Sequence, residues 1–205
     1  MKRLPPQALL FDLGGVLVDF NFSLALEAWS PASTLHLDEL RRTFTFDDAY
    51  ERHERGEITA QEYFSHLSAV LQLSASEEEV EAGWNAIFVG EIAETRMLVE
   101  RARQTLPCYA FTNTNASHMQ RWSTLYPRVV SVFDKIFASH QMGLRKPEPA
   151  AFDYICQDLA LAPDRILFFD DLAENVQAAR AAGLQAVLVR TPQDVANALQ
   201  AVGAV

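Results

Sequence analysis

The sequence predicts an α/β protein: a doubly wound parallel sheet with a helical insertion after its first strand. Three observations predict it. Short continuous apolar runs recur along the chain, as in parallel strands covered on both faces. Helical patterns alternate with the later runs, which is the strand–helix rhythm of a wound sheet. After the first run, about 75 residues pass with helical patterns and no convincing strand.

In chain order, the run ALLF (8–11) is the first strand and stops at Asp12. The insertion then reads as helices over LALEAWS (24–30), LDELRRTFTFDDAYERHERG (37–56), TAQEYFSHLSAVLQL (59–73) and SEEEVEAGWNAIF (76–88). Gly56 ends one helix and Thr59 caps the next, with Glu62 three residues on at capping-box spacing. Leu24, Leu37, Leu40, Phe44, Tyr63, Phe64 and Leu67 supply the apolar faces. Trp29, Phe44, Phe46, Trp84 and Phe88 read as insertion core, with one or two of them turned toward a ligand. His53 reads as a surface residue near a helix end.

The remaining strands are CYAF (108–111), KIFAS (135–139), RILFF (165–169) and QAVLV (185–189). PEPAAFDYICQDLA (147–160) is a helix with prolines at its entrance, where they are tolerated. AENVQAARAAG (173–183) is a helix stopped by Gly183. Residues 1–19 and 91–205 therefore form the α/β core, and 20–90 the inserted domain.

The formal net charge of −10 argues against nucleic acid or an anionic membrane as partner, since both require basic patches. Cys108 and Cys156 show neither metal-ligand spacing nor a disulfide framework and read as buried thiols. Lys2 and Arg3 precede an apolar run that Asp12 interrupts, which does not make a signal peptide, and no stretch reaches the ~20 apolar residues of a membrane span. The expectation is a soluble, cytoplasmic monomer.

In open α/β sheets, ligands gather at the carboxyl ends of the strands. There the sequence places Asp12 with Gly14 and Gly15, then Thr112 and Asn113, then Lys146 beyond a short loop, and finally the acid pair Asp170–Asp171. Clustered carboxylates need a cation among them, and an oxygen-rich site selects Mg²⁺. A carboxylate can attack phosphorus and become an acyl phosphate. A hydroxyl, amides and a lysine can stabilise the charge on the transferred group. Taken singly, each residue has an ordinary explanation: a turn, a helix N-terminus, a solvated lysine. Their recurrence after four strands does not.

These segments, FDLGGVLVD (11–19), FTNTN (111–115), RKPEP (145–149) and FFDDLAEN (168–175), resemble the four motifs of the haloacid dehalogenase superfamily. The resemblance spans the chain, with the insertion matching the family's cap on a Rossmann-like core. HERGEITAQEYF and DLGGVLVDFNF are similar to the branch containing bacterial α-D-glucose-1-phosphate phosphatase. The resemblance implies a magnesium-dependent phosphatase acting on a small phosphate ester such as a sugar phosphate. It assigns Asp12 as nucleophile and metal ligand, and the Gly14 carbonyl, Asp171 and Asp170 as further ligands. Thr112 and the Asn113 backbone would hold phosphate, Lys146 would neutralise it, and Asn175 would order the metal site.

One position departs from the family pattern. Most phosphatases of the family carry a second aspartate two residues after the nucleophile as general acid and base; here it is Gly14. General acid–base catalysis contributes about 10²–10⁴-fold, so turnover is expected to be modest and to favour acidic leaving hydroxyls, such as that of a sugar 1-phosphate. His53 is a candidate substitute for the missing acid. Two other readings remain. A dehalogenase would lack the acid pair, and a phosphate-binding protein without turnover would not need both Asp12 and Lys146.

Overall fold

The computed structural model describes residues 4–205; Lys2 and Arg3 lie outside them. The core strands are β1 (Ala8–Phe11), β4 (Cys108–Thr112), β5 (Lys135–Ala138), β6 (Ile166–Asp170) and β7 (Gln185–Leu188). They pair in the order β5-β4-β1-β6-β7, every pair parallel. The helices α6 (Ala93–Ala102), α7 (Ala116–Leu125), α8 (Pro127–Ser131), α9 (Ser139–Met142), α10 (Pro149–Leu159), α11 (Ala173–Ala181) and α12 (Pro192–Ala201) complete the core.

The continuous apolar strands follow from burial on both faces. Leu9, Phe11 and Phe169 share a cluster with Val99 of α6 and Val195 and Leu199 of α12. Leu10, Phe111 and Phe168 face the other way, against Phe152 and Ile155 of α10 and Val176 of α11. Alternate side chains thus enter different cores. Phe11 and Phe169 stack across the β1–β6 pair, ring centroids 4.5 Å apart. Cys108 and Cys156 are free and buried. Gly183, at φ +92, terminates α11 as expected.

The insertion holds α1 (Ser23–Trp29), α2 (Leu37–Thr43), α3 (Asp48–Glu54), α4 (Ala60–Val70) and α5 (Glu77–Trp84), packed around a cluster of their own that includes Leu26, Trp29, Leu40, Phe64 and Trp84. The Thr59–Glu62 capping box is present, with the Glu62 side chain accepting from the Thr59 N–H at 2.7 Å. Two expectations fail here. The single helix over 37–56 is two helices, because Phe44 turns extended and Asp47 caps α3 by accepting from the Tyr50 N–H at 2.9 Å. The aromatic run between them packs instead as rings: Phe46 lies edge-on to Phe22 at 5.1 Å.

The second failure is a pair of short strands, one closing the apolar run VLV (16–18) and the other beginning within AIFV (86–89), where no strand was expected. β2 (Val18–Phe20) leaves the core and β3 (Phe88–Glu91) returns to it, and the two pair antiparallel, Val18 opposite Glu91 and Phe20 opposite Phe88. The entrance and exit of the insertion are therefore zipped together, which seats its helices over the carboxyl ends of β1 and β4. Among the described residues no helix is long and apolar enough to cross a membrane.

Candidate active site

Asp12 follows the last residue of β1. Its N–H still donates to Phe169 O at 2.8 Å, so the ladder holds its backbone in place. Its carboxylate accepts from the Leu13 N–H at 2.7 Å and meets Lys146 Nζ at 2.8 Å. The chain then makes a tight turn in which Leu17 and Val18 both donate to Leu13 O. Gly15 sits in that turn at φ +68, and any Cβ there would collide with the Asp171 carboxylate. Glycine is required at 15 twice over, by its backbone and by its neighbour.

Lys146, read from sequence as a site cation, is 1% exposed. Its three N–H donors are all used: Asp12 Oδ1 at 2.8 Å, Asp170 Oδ2 at 2.8 Å and Phe111 O at 2.9 Å. Its backbone is clasped by the Asn113 side chain. The Lys146 N–H donates to Asn113 Oδ1 and Asn113 Nδ2 donates to Lys146 O, both at 2.9 Å. Asn113 thus has a side-chain task in addition to the backbone role implied by the resemblance. Thr112, buried at the end of β4, lines the same cavity as Asp12.

Asp170 ends β6 with no exposed surface. Oδ1 accepts from the Leu172 N–H at 2.8 Å, and Asn175 Nδ2 reaches both oxygens, at 3.0 and 3.1 Å. Asn175 therefore orders Asp170, not Asp171. With these partners and Lys146, Asp170 has little capacity left over, whereas Asp171 is half-buried and faces the cavity beside Gly15.

Oxygen atoms of Asp12, Asp170 and Asp171 lie within 4.8 Å of one another. Burial pushes Asp12 up to about 7, against the pull of Lys146 and with Asp170 and Asp171 adding repulsion. Burial and Asp170 also raise Asp171. Lys146 is held above its ordinary range: burial opposes its charge, and Asp12 and Asp170 outweigh burial. Three carboxylates around one ammonium leave an excess of negative charge in a set of hard oxygen donors. That donor set fits a divalent cation such as Mg²⁺.

The site opens into a cavity of about 680 Å³ under the insertion. Its far walls carry Phe20, Phe22, Phe46 and Phe88 together with Glu51, Glu54 and Arg145. Of the five aromatics read as insertion core, Phe46 and Phe88 face this space, while Trp29 and Trp84 are buried at 2% and 0% exposure. The polar wall escaped the sequence reading. Arg145, from the loop before α10, donates from Nε to Glu54 Oε2 at 3.0 Å and pairs through Nη1 with Glu51 at 3.1 Å, tying α3 to the core. Arg55 and Glu148 make a second tie at 2.6 Å. RKPEP and the acids of RHERGE were both visible, but only the fold brings them together.

His53 is corrected. It is 3% exposed, stacked on Tyr63 at 4.5 Å, and does not line the cavity. Burial, with a smaller contribution from His140, lowers it to about 4. It is neither a surface residue nor a proton donor to this site, because the helical period turns it into the core of the insertion.

Comparison with known proteins is consistent with this geometry. A family model described as haloacid dehalogenase-like hydrolase matches residues 6–183. The chain is 29% identical to phosphatase MT3486 of Mycobacterium tuberculosis, over 97% of this chain and 95% of that protein. It is 24% identical to D-ribitol-5-phosphate phosphatase of Bacteroides thetaiotaomicron, over 86% and 88%. Among solved structures, it is similar to a HAD family enzyme of Bacteroides thetaiotaomicron in complex with magnesium and inorganic phosphate, with TM-score 0.80, 25% identity, and coverage of 90% of this chain and 94% of that one.

Proposed function

The chain belongs to the haloacid dehalogenase-like hydrolase family, and we propose that it is a magnesium-dependent phosphatase that forms an aspartyl-phosphate on Asp12. The observation that carries this reading is the buried contact of Lys146 with Asp12 and Asp170, opening onto the cavity beside Asp171. Magnesium-and-phosphate binding by a similar enzyme supports it.

In this reading Asp12, Asp171 and the Gly14 carbonyl would hold Mg²⁺, with Asp170 behind them. The ion, when bound, would neutralise charge on the phosphoryl oxygens and keep Asp12 ionised. A free Asp12 oxygen attacks phosphorus in line with the ester oxygen, the P–O ester bond breaks, and the leaving oxygen takes the electron pair. Lys146 stabilises the charge on the transferred group, and Thr112 and the Asn113 N–H hold its remaining oxygens. Water then attacks phosphorus, the bond from phosphorus to the Asp12 oxygen breaks, and the proton of the water passes to solvent, which releases orthophosphate and restores the Asp12 carboxylate. The side chains of Asn113 and Asn175 touch no reacting atom; they position Lys146 and Asp170. Residues 20–90 act as the cap that encloses the ester.

The acid pair beside Asp12 favours phosphoryl transfer over halide displacement. The pairing of nucleophile and lysine favours turnover over simple binding. For the substrate we favour a sugar phosphate such as glucose 1-phosphate, following the resemblance to α-D-glucose-1-phosphate phosphatase. Its anomeric hydroxyl is an acidic leaving group, suited to a site with glycine at 14. The faces of Phe20, Phe46 and Phe88 offer packing for a sugar ring, and Glu51 and Arg145 offer hydrogen bonds to its hydroxyls. A panel of phosphate esters assayed for orthophosphate release, with Mg²⁺ and with chelator, tests the reading. Release that needs Mg²⁺ is expected; no release from any ester would refute it.

A further inference from the structure

Gly14 is the cavity-lining residue nearest in sequence to Asp12 without a side chain, and its backbone is not in the left-handed region that favours glycine. A side chain there would have to displace that of another residue. A Cβ on Gly14 would lie 2.7 Å from Cε1 of Phe20, 3.4 Å from Cδ1 and 3.6 Å from Cζ. One edge of a phenyl ring fills the space that a residue-14 side chain would enter. Phe20 is held there from behind: it sits opposite Phe88 in the β2–β3 pair, and Phe22 packs edge-on to it at 5.8 Å. Its other side is open to the cavity, and the residue is 38% exposed.

The titratable groups that could replace an acid at 14 are mostly engaged. Tyr50 donates to Glu54 at 2.9 Å, and Glu54 also accepts from Arg145. Glu51 pairs with Arg55 and Arg145. His118 Nε2 donates to Trp84 O at 3.0 Å, which leaves Nδ1 to accept from Asn115 Nδ2 at 3.2 Å, the neutral tautomer. The three donors of Lys146 are spent. Glu174 is exposed at the rim.

We propose that Phe20 is a specificity-determining residue: its ring takes the place of a residue-14 side chain and walls the leaving oxygen with hydrocarbon, restricting the enzyme to esters of acidic hydroxyls. The inference rests on the phosphatase reading and adds the residue that sets its leaving-group range. As the bond from Asp12 oxygen to phosphorus forms and the P–O ester bond breaks, the leaving oxygen departs as an oxyanion and takes its proton from bulk water. Only an oxygen that tolerates the negative charge leaves quickly. Anomeric and phenolic hydroxyls share that property; simple alcohols lack it.

The test measures kcat/KM with Mg²⁺ across aryl phosphates of graded phenol acidity, glucose 1-phosphate, glucose 6-phosphate and a simple alkyl phosphate. It is run on wild type, Gly14→Asp, Phe20→Ala and the double variant, with each variant's Tm recorded. Wild type is expected to lose rate steeply as the leaving hydroxyl becomes less acidic. Gly14→Asp alone is expected to gain little, because the new side chain has to displace the Phe20 ring before it can reach the leaving oxygen. The double variant is expected to gain at least about tenfold on the alkyl and 6-phosphate esters, within the range of general acid catalysis, and to flatten the dependence. A lower KM for glucose 1-phosphate than for an aryl ester of similar leaving acidity identifies the sugar as the fitted group; the reverse identifies the aryl ring. A flat dependence in wild type overturns the role of Phe20 even if neither variant folds, and so does a Gly14→Asp single variant equal to the double. Failure to hydrolyse any ester overturns the phosphatase reading itself.

Discussion

Lys146 Nζ lies 2.8 Å from Asp12 Oδ1, and the lysine that carries it is 1% exposed. A charge held there, with Asp170 on its other side, acts at high strength because little water screens it. Lys146→Met is expected to lower kcat/KM by at least two orders of magnitude, about 2.7 kcal/mol in barrier. It also removes the cation that balances the buried Asp170 and Asp12 carboxylates, so unfolding free energy is expected to fall by about 3–5 kcal/mol. Steady-state kinetics and urea titration read the two effects separately. A loss in kcat/KM below about tenfold would make the lysine peripheral.

The tie between Arg145 and Glu54 is expected to couple energetically, because the arginine and glutamate side chains are 15% and 4% exposed. A double-mutant cycle of Arg145→Met and Glu54→Gln is expected to give a coupling of about 1–3 kcal/mol. The pair Lys135–Asp158, with 47% and 28% exposed side chains, is the control and is expected to give less than about 1 kcal/mol. Equal couplings would show that the tie between insertion and core is no stronger than a surface pair.

Much of this was legible in the sequence, for a physical reason. Parallel strands buried on both faces are written as unbroken apolar runs, and ALLF, CYAF and RILFF stand out from polar surroundings. The residues closing those runs come together at one cavity because the sheet delivers its strand ends to one edge. Strands β2 and β3 were illegible because they are short, and the apolar residues that lead into them, VLV (16–18) and AIFV (86–89), also fit a turn and a helix end. The pairing of Arg145 with Glu54 spans 91 residues, and the contact of Phe20 with the space above Gly14 depends on the β2–β3 register. Neither distance is encoded locally. His53 was misread because its helix turns it against Tyr63, a partner on the next helix.

Gly15 and Gly143 share nearly the same backbone, φ +68 and +70, but not the same surroundings. A Cβ at 143 meets open space, whereas one at 15 meets the Asp171 carboxylate. Gly143→Ala is expected to cost about 1 kcal/mol in stability with activity intact. Gly15→Ala is expected to cost more and to displace Asp171, raising the Mg²⁺ concentration needed for half-maximal rate by tenfold or more. Magnesium titrations of both variants check this; identical magnesium dependence would detach Asp171 from the metal.

Burial holds His118 neutral, lowering it to about 3, outweighing the hydrogen bond to Trp84 O. Because the folded value lies below the unfolded value near 6.5, the unfolded chain binds the extra proton. The stability from a neutral His118 is therefore complete above about pH 6.5 and is lost as pH falls below it, by about 1.4 kcal/mol per unit. His53, lowered to about 4 by burial first and His140 second, adds in the same direction. Asp12 and Glu54, raised by burial, pull the opposite way. The clean readout is the difference between wild type and His118→Gln in urea midpoint at pH 7 and pH 5. The wild type is expected to lose more on acidification; parallel losses would mean that His118 charges without cost in the fold.

The central claim is the covalent role of Asp12, and it is tested most directly by mass spectrometry of enzyme quenched in acid during turnover with Mg²⁺ and a phosphate ester. The expected result is one phosphoryl group on the peptide containing Asp12, absent when chelator replaces Mg²⁺, and no orthophosphate release by folded Asp12→Asn. Turnover by that variant, or a wild-type enzyme that releases orthophosphate while its phosphoryl group is trapped on another residue, would contradict the account.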